Sequence, residues 1–211
     1  MEYNRRTTMK PRPRVSARTR LAYHEAGHAV LSAAIGNPPD YVSIRATGHA
    51  LGHNLLQPSQ HASSRIQVHL AGYAAEHSLT GRRPTQFRQE IVFSALAQFF
   101  DGVREALETF EHSEDRDGYR AVEDICRLAV FEDEKAICKE VERYYAITVD
   151  SLTCVWRSVE AVAKGLLKHE ALERPRLDEA IWKVDIYALV RPLQHKQGFL
   201  QPKHEQAQAD A

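Results

Sequence analysis

The sequence has no apolar run long enough to cross a bilayer. Its most apolar stretch, Ile91 to Phe100, is interrupted by Gln98 and falls well short of the ~18 residues that a membrane span requires. Cysteine is scarce: Cys126, Cys138 and Cys154 form an odd set without a C-x-x-C pair. That excludes a disulfide framework and reads as reduced thiols in a cytoplasmic protein. Charge of one sign is also missing, because Lys and Arg total 28 and so do Asp and Glu. Global electrostatics therefore predicts neither a nucleic-acid partner nor an acidic one. The N-terminus lacks the apolar centre of a secretory signal. No phosphate loop of the pattern G-x-x-x-x-G-K-[ST] occurs anywhere.

What is present is ordinary for a globular protein, with 43% hydrophobic and 27% charged residues in a chain of 211. That length suits one domain with appendages, long enough to bury a core without staples. We place a basic disordered tail at residues 1–18, a folded domain at 19–190 and a polar C-terminal tail at 191–211. The first tail carries Arg5, Arg6, Lys10, Arg12, Arg14 and Arg18 against Glu2. It reads as a solvated tail, with contact to anionic lipid or nucleic acid as the alternative.

A first helix is expected from Thr19, as N-cap, to Ile35, stopped by Gly36-Asn37-Pro38-Pro39. Tyr41 to Ile44 reads as a short strand. Gly48 and Gly52 mark a turn, and Leu55 and Leu56 a second strand of a small hairpin or meander. A second helix is expected from Ser63 or Ser64 to Leu79, ended by Gly81. Further helices are expected at Gln86–Phe110, Arg116–Phe131, Asp133–Ala146, Asp150–His169 and Arg176–Val184. The fold class is therefore mainly α (α+β), with a small early sheet followed by a helical bundle.

Eleven histidines is a high count for this length, and two of them carry the functional argument. His24-Glu25-Ala26-Gly27-His28 lies inside the first helix. Residues four apart stack on one helical face about 6 Å apart, so two imidazoles can share one ion. Zinc suits two nitrogen donors, and a catalytic site adds a third protein ligand while keeping a position for water. Glu25, next to the first histidine, is placed to act on that water as a base and then to protonate the leaving amine. The competing reading is a helix with two histidines that bind nothing. Ala22, Ala26, Ala29, Val30 and Ala33 argue for a buried helix instead. Gly27 costs roughly 1 kcal/mol of helix propensity and makes sense where another backbone or the metal site comes close.

Leu21-Ala22-Tyr23-His24-Glu25-Ala26-Gly27-His28-Ala29-Val30 resembles the zinc-binding helix of the FtsH-type zinc metalloproteases, making this a zincin-like HExxH helix. Val42-Ser43-Ile44 with Gly48-His49-Ala50-Leu51-Gly52 resembles the strand and turn that follow it there. Ala71-Gly72-Tyr73-Ala74-Ala75-Glu76 is similar to the family's next helix, of the pattern G-x-A-A-E. Asp117, followed by Arg120-Ala121, resembles the aspartate that supplies the third ligand. Beyond Asp150 the likeness is weak. The family's ATPase module and membrane anchor are not among these residues, and a long helical stretch stands between Gly81 and Asp117 where the family has a short connection.

The resemblance implies a zinc-dependent endopeptidase with Zn2+ held by His24, His28 and Asp117. Glu76 is the rival third ligand, or a group that orients an imidazole. A peptide substrate is expected to add as a strand beside Tyr41–Ala46 or Gly48–Leu55, along Val42, Ile44, Leu51 and His53. Without its own ATPase the domain would act on unfolded or flexible polypeptide, alone, as a homo-oligomer, or with a separate ATPase partner. Two other readings stay open at this point: a different small intracellular H-E-x-G-H peptidase, and an inactive domain kept as a binding or assembly module. His49 reads as a surface turn residue with substrate contact as the alternative, His69 and His77 as packing or solvated residues, and Trp156 and Trp182 as core.

Overall fold

The computed structural model describes residues 15–45, 53–54, 61–100, 103 and 117–182. The expected features at Gly48 to Gly52, at Leu55 and Leu56, in most of 101–116 and in the outer parts of both tails lie outside these residues.

The elements run α1 (Ala17–Ala34), β1 (Tyr41–Ser43), β2 (His53–Asn54), α2 (Ala62–Thr80), α3 (Thr85–Ala97), α4 (Asp117–Leu128), α5 (Glu134–Cys154), α6 (Trp156–His169), β3 (Ala171–Glu173) and α7 (Arg174–Trp182). This is the expected class, mainly helical with a small sheet. Helix α1 is buried nearly all round from Ala22 to Ala34, as befits a helix enclosed by others. It packs on α2, α6 and the sheet, while α2 also packs on α4 and α5.

Close approach of α1 and α2 depends on Gly27. A Cβ there would lie 2.6 Å from the Ala71 carbonyl oxygen and 2.8 Å from Ala75 Cβ. The glycine thus trades helix propensity for contact between two backbones, as the sequence suggested. Ile66, Leu70, Ala71, Ala74 and Ala75 of α2 join Ala26, Ala29 and Val30 of α1 in the core. Tyr23 stacks on Trp156 with ring centroids 5.7 Å apart, so Trp156 packs against the core as expected.

Several boundaries differ from expectation for local reasons. Helix α1 starts at Ala17, because Ser16 is the N-cap and its Oγ accepts from the Thr19 backbone N–H at 3.0 Å. Arg18 consequently belongs to the fold, where it pairs with Glu170 at 3.0 Å. Helix α2 has His61 as N-cap, while Gly81 closes it in the left-handed conformation, φ 69°. Helix α3 ends at Ala97 and α4 at Leu128. The break expected at 147–149 is not there: α5 continues to Cys154. Thr148 and Ser151 are buried and donate back to the carbonyls of Tyr144 and Ile147 at 2.8 and 2.7 Å, so packing overrides the β-branched run. The junction falls instead at Val155.

The sheet has the order β2-β1-β3, antiparallel throughout, with Val42 opposite both Asn54 and Leu172. Strand β3 is not readable as a strand in the sequence, since three residues between helices show no alternation. Glu170 turns the chain into it with φ 65°, and its carbonyl accepts from Ile44 N–H at 2.8 Å. Because β1 is central, its backbone is engaged on both sides. Val42 and Ile44 are core side chains, 0% and 8% exposed. The expectation that a peptide pairs beside Tyr41–Ala46 is therefore corrected over Tyr41–Ser43, whereas the alternative, Gly48–Leu55, contains β2, which with β3 is an outer strand of the sheet.

Candidate metal centre

Helix α1 carries His24 and His28 on one face, one turn apart, with ring centroids 4.8 Å apart. Both Nε2 atoms point at a single oxygen, Asp117 Oδ2, at 3.0 Å from His24 and 2.8 Å from His28. Asp117 is the first residue of α4, so a residue 89 positions beyond His28 completes the cluster. The two imidazole nitrogens and the carboxylate oxygen all lie within 4.8 Å of one another. Helix α2 forms the floor, and Gly72 makes it possible: a Cβ there would overlap the Nε2 atoms of both histidines.

The opposite ring nitrogens fix the orientation. His28 Nδ1 lies 2.7 Å from the Val68 carbonyl oxygen. A carbonyl can only accept, so Nδ1 carries the proton and Nε2 of the neutral ring presents a lone pair. His24 Nδ1 stands 2.9 Å from Glu76 Oε1. Glu76 is thus on the far side of the ring from Asp117, in the place of an orienting group, and outside the converging trio. Glu25 is 3% exposed and its charge acts on both imidazoles.

Two Nε2 lone pairs facing a carboxylate oxygen call for positive charge between them. The titration of the cluster expresses the same demand. Burial of His24 pulls its pKa down, but hydrogen bonds to Asp117 and Glu76 outweigh that and hold it well above the ordinary value. His28 behaves likewise, with burial pulling down and chiefly the charge of Asp117 pulling up. Burial would raise Asp117, yet the two histidines bring it down. Two imidazoles and one carboxylate, with the remaining ring nitrogens anchored, is a donor set that fits zinc, whose bonds to nitrogen and oxygen are about 2.0–2.2 Å.

Other residues singled out by the sequence fall elsewhere. His53 is paired with Ser43 in the sheet, and Leu51 lies outside the described residues. His69 is 3.7 Å from Asp124, and burial pushes it down to about 4 against the pull of Asp117 and Asp124. It is therefore neutral at neutral pH. His77 stacks on Tyr145 at 6.0 Å and an interplanar angle of 13°. Sequence reasoning missed Tyr73, whose ring meets His24 edge-on at 5.3 Å, and Glu90, which Tyr73 O–H contacts. Nothing local signals Glu90, since it lies in the stretch without counterpart in the resemblance.

The site is of the kind that can hold one divalent ion between an H-E-x-x-H helix and a distant carboxylate. The chain resembles the peptidase domain of FtsH-type zinc metalloproteases. It is 30% identical over 181 residues to the mitochondrial inner membrane m-AAA protease component AFG3L1 of Mus musculus, covering 79% of this chain and 23% of that protein. It is 27% identical over 186 residues to the ATP-dependent zinc metalloprotease FtsH 3 of Symbiobacterium thermophilum, covering 76% and 29%. With FtsH 2 of Sphaerobacter thermophilus the identity is 25% over 177 residues, covering 76% and 26%. The chain thus spans about a quarter of the length of the curated relatives it matches. No protein-family model matches it. No helix among the described residues is long and apolar enough to cross a membrane.

Proposed function

We propose that this chain is a zinc-dependent peptidase acting on unfolded or flexible polypeptide, with His24, His28 and Asp117 as metal ligands and Glu25 as the proton carrier. The observation that carries the proposal is the convergence of His24 Nε2, His28 Nε2 and Asp117 Oδ2, with the far nitrogens anchored on Glu76 and the Val68 carbonyl. The similarity to proteins named zinc metalloproteases supports the same reading. When bound, zinc supplies a Lewis acid that polarises the scissile carbonyl and makes water acidic enough to react near neutral pH.

The chain's own residues do the rest. Glu76 and the Val68 carbonyl keep both imidazoles turned so that Nε2 faces the ion. Glu25, beside His24, takes a proton from the attacking water as its oxygen adds to the carbonyl carbon. It then delivers that proton to the leaving amide nitrogen as the carbon–nitrogen bond breaks. Substrate pairs as an extended strand with an outer strand of the sheet, β2 within the expected Gly48–Leu55, by main-chain hydrogen bonds, which gives weak sequence preference.

The test is hydrolysis of a fluorescently labelled unfolded protein by wild type and Glu25→Gln. The proposal expects zinc-dependent cleavage in wild type and a loss of roughly 10²-fold or more in the variant, with zinc retained. Cleavage by Glu25→Gln at the wild-type rate would refute Glu25 as proton carrier. Zinc binding without cleavage of any unfolded substrate would favour a binding module.

A further inference from the structure

Helix α3 belongs to the stretch between Gly81 and Asp117 that departs from the resemblance, yet it reaches the metal centre. Its Glu90 stands between the two sides of the cluster. On one side Tyr73 donates its O–H to Glu90 Oε2. The Tyr73 ring in turn meets His24 edge-on, and the neighbouring Gly72 lies against both imidazoles. On the other side the same carboxyl lies against the backbone of Gly118, one residue after Asp117. A Cβ at Gly118 would lie 2.8 Å from Glu90 Oε2, so the carboxyl seats directly on the first turn of α4. An acid there also meets the positive end of the helix. Phe87, one turn earlier on α3, packs on Tyr73 with centroids 5.2 Å apart and keeps α3 against α2.

We infer that Glu90 is a positioning residue of the metal centre, tying the first turn of α4, and with it Asp117, to Tyr73 and the His24 ring. The inference rests on the reading of His24, His28 and Asp117 as metal ligands. It also accounts for the divergent helix, since α3 supplies the brace that fixes the carboxylate ligand relative to the two histidines. Groups that orient ligands in this way typically change metal affinity about 10–100-fold when removed.

Zinc affinity of the full 211-residue chain, measured by competition with a chromophoric chelator alongside thermal unfolding in excess chelator, tests this. The variants are Glu90→Ala, Glu90→Gln and Ile91→Ala. Ile91 is buried on the same helix and serves as a control for general loosening. Glu90→Ala is expected to bind zinc at least about tenfold more weakly. Glu90→Gln, which keeps one accepting oxygen, should recover part of that loss. Ile91→Ala should lower the unfolding temperature without weakening zinc. Zinc affinity of Glu90→Ala within about twofold of wild type would overturn the inference, as would an equal loss in Ile91→Ala. Wild type that binds no zinc would refute the metal-centre reading and this inference with it, which separates the two failures. If Glu90→Ala does not fold, Glu90→Asp, which draws the carboxyl back by one methylene, carries the test with the same two outcomes.

Discussion

His28 Nδ1 donates to the backbone carbonyl of Val68 at 2.7 Å across the packed faces of α1 and α2. This bond does two things at once. It ties a carbonyl inside α2 to a side chain from α1, and it commits the neutral imidazole to the tautomer whose Nε2 lone pair faces Asp117. The proposed metal centre and the helix packing are therefore one arrangement, and changes to either should be felt by the other.

Gly72 is where that dependence is sharpest. A methyl group at this position would overlap both Nε2 atoms. Gly72→Ala is expected to weaken zinc at least about tenfold and to cost about 1–3 kcal/mol through overpacking. Zinc titration and thermal unfolding of the variant check the two effects separately.

Gly27 tests the packing alone. Its Cβ position faces the Ala71 carbonyl and Ala75, away from the imidazole nitrogens. Gly27→Ala gains roughly 1 kcal/mol of helix propensity but forces two backbones apart, so a net loss of up to about 2 kcal/mol is expected. At about 2–4 °C per kcal/mol for a chain of this size, the melting temperature should fall by several degrees. An unchanged or higher melting temperature would show that the interface relaxes freely.

Glu76 stands on the far side of the His24 ring, 2.9 Å from Nδ1, and on the proposed reading it orients the imidazole. Glu76→Ala is expected to reduce zinc affinity by about 10–100-fold. Glu76→Gln should be milder, because its amide oxygen can still accept from Nδ1–H. Equal losses in the two variants would mean that charge rather than orientation is at stake.

His69 predicts a pH dependence of stability. Burial lowers its folded pKa to about 4 from the ordinary 6.5, so between those values the unfolded chain binds more protons than the folded one. Its contribution is complete above pH 6.5 and is lost as pH falls toward the folded value. The full shift corresponds to about 3 kcal/mol at most. Urea unfolding in excess chelator should show that slope in wild type and a flatter one in His69→Gln. Identical slopes would mean that His69 does not titrate in this way.

The sequence made different parts of this molecule legible for different reasons. His24, Glu25 and His28 were readable because helical periodicity makes a local pattern into a shared face. Asp117 stands 89 residues beyond His28, so spacing says nothing about it, and only the resemblance pointed there. Glu76 was named with two roles open, rival ligand or orienting group, because whether a carboxyl sits on Nε2 or Nδ1 is decided by tertiary packing. Strand β3 and the unbroken run of α5 through residues 147–149 depend on neighbours in space, namely Val42 opposite Leu172 and the burial of Thr148. The central place of β1 was hidden for the same reason, and it leaves β2 and β3 as the outer strands where a peptide could pair.

The central claim is that His24, His28 and Asp117 hold zinc. Elemental analysis of purified wild type, His28→Ala and Asp117→Ala after zinc loading and desalting tests it most directly. One zinc ion per wild-type chain is predicted, with loss of bound zinc in both variants, each still folded by circular dichroism. A well-folded wild type that retains no zinc, or an Asp117→Ala protein that retains it fully, would contradict the claim.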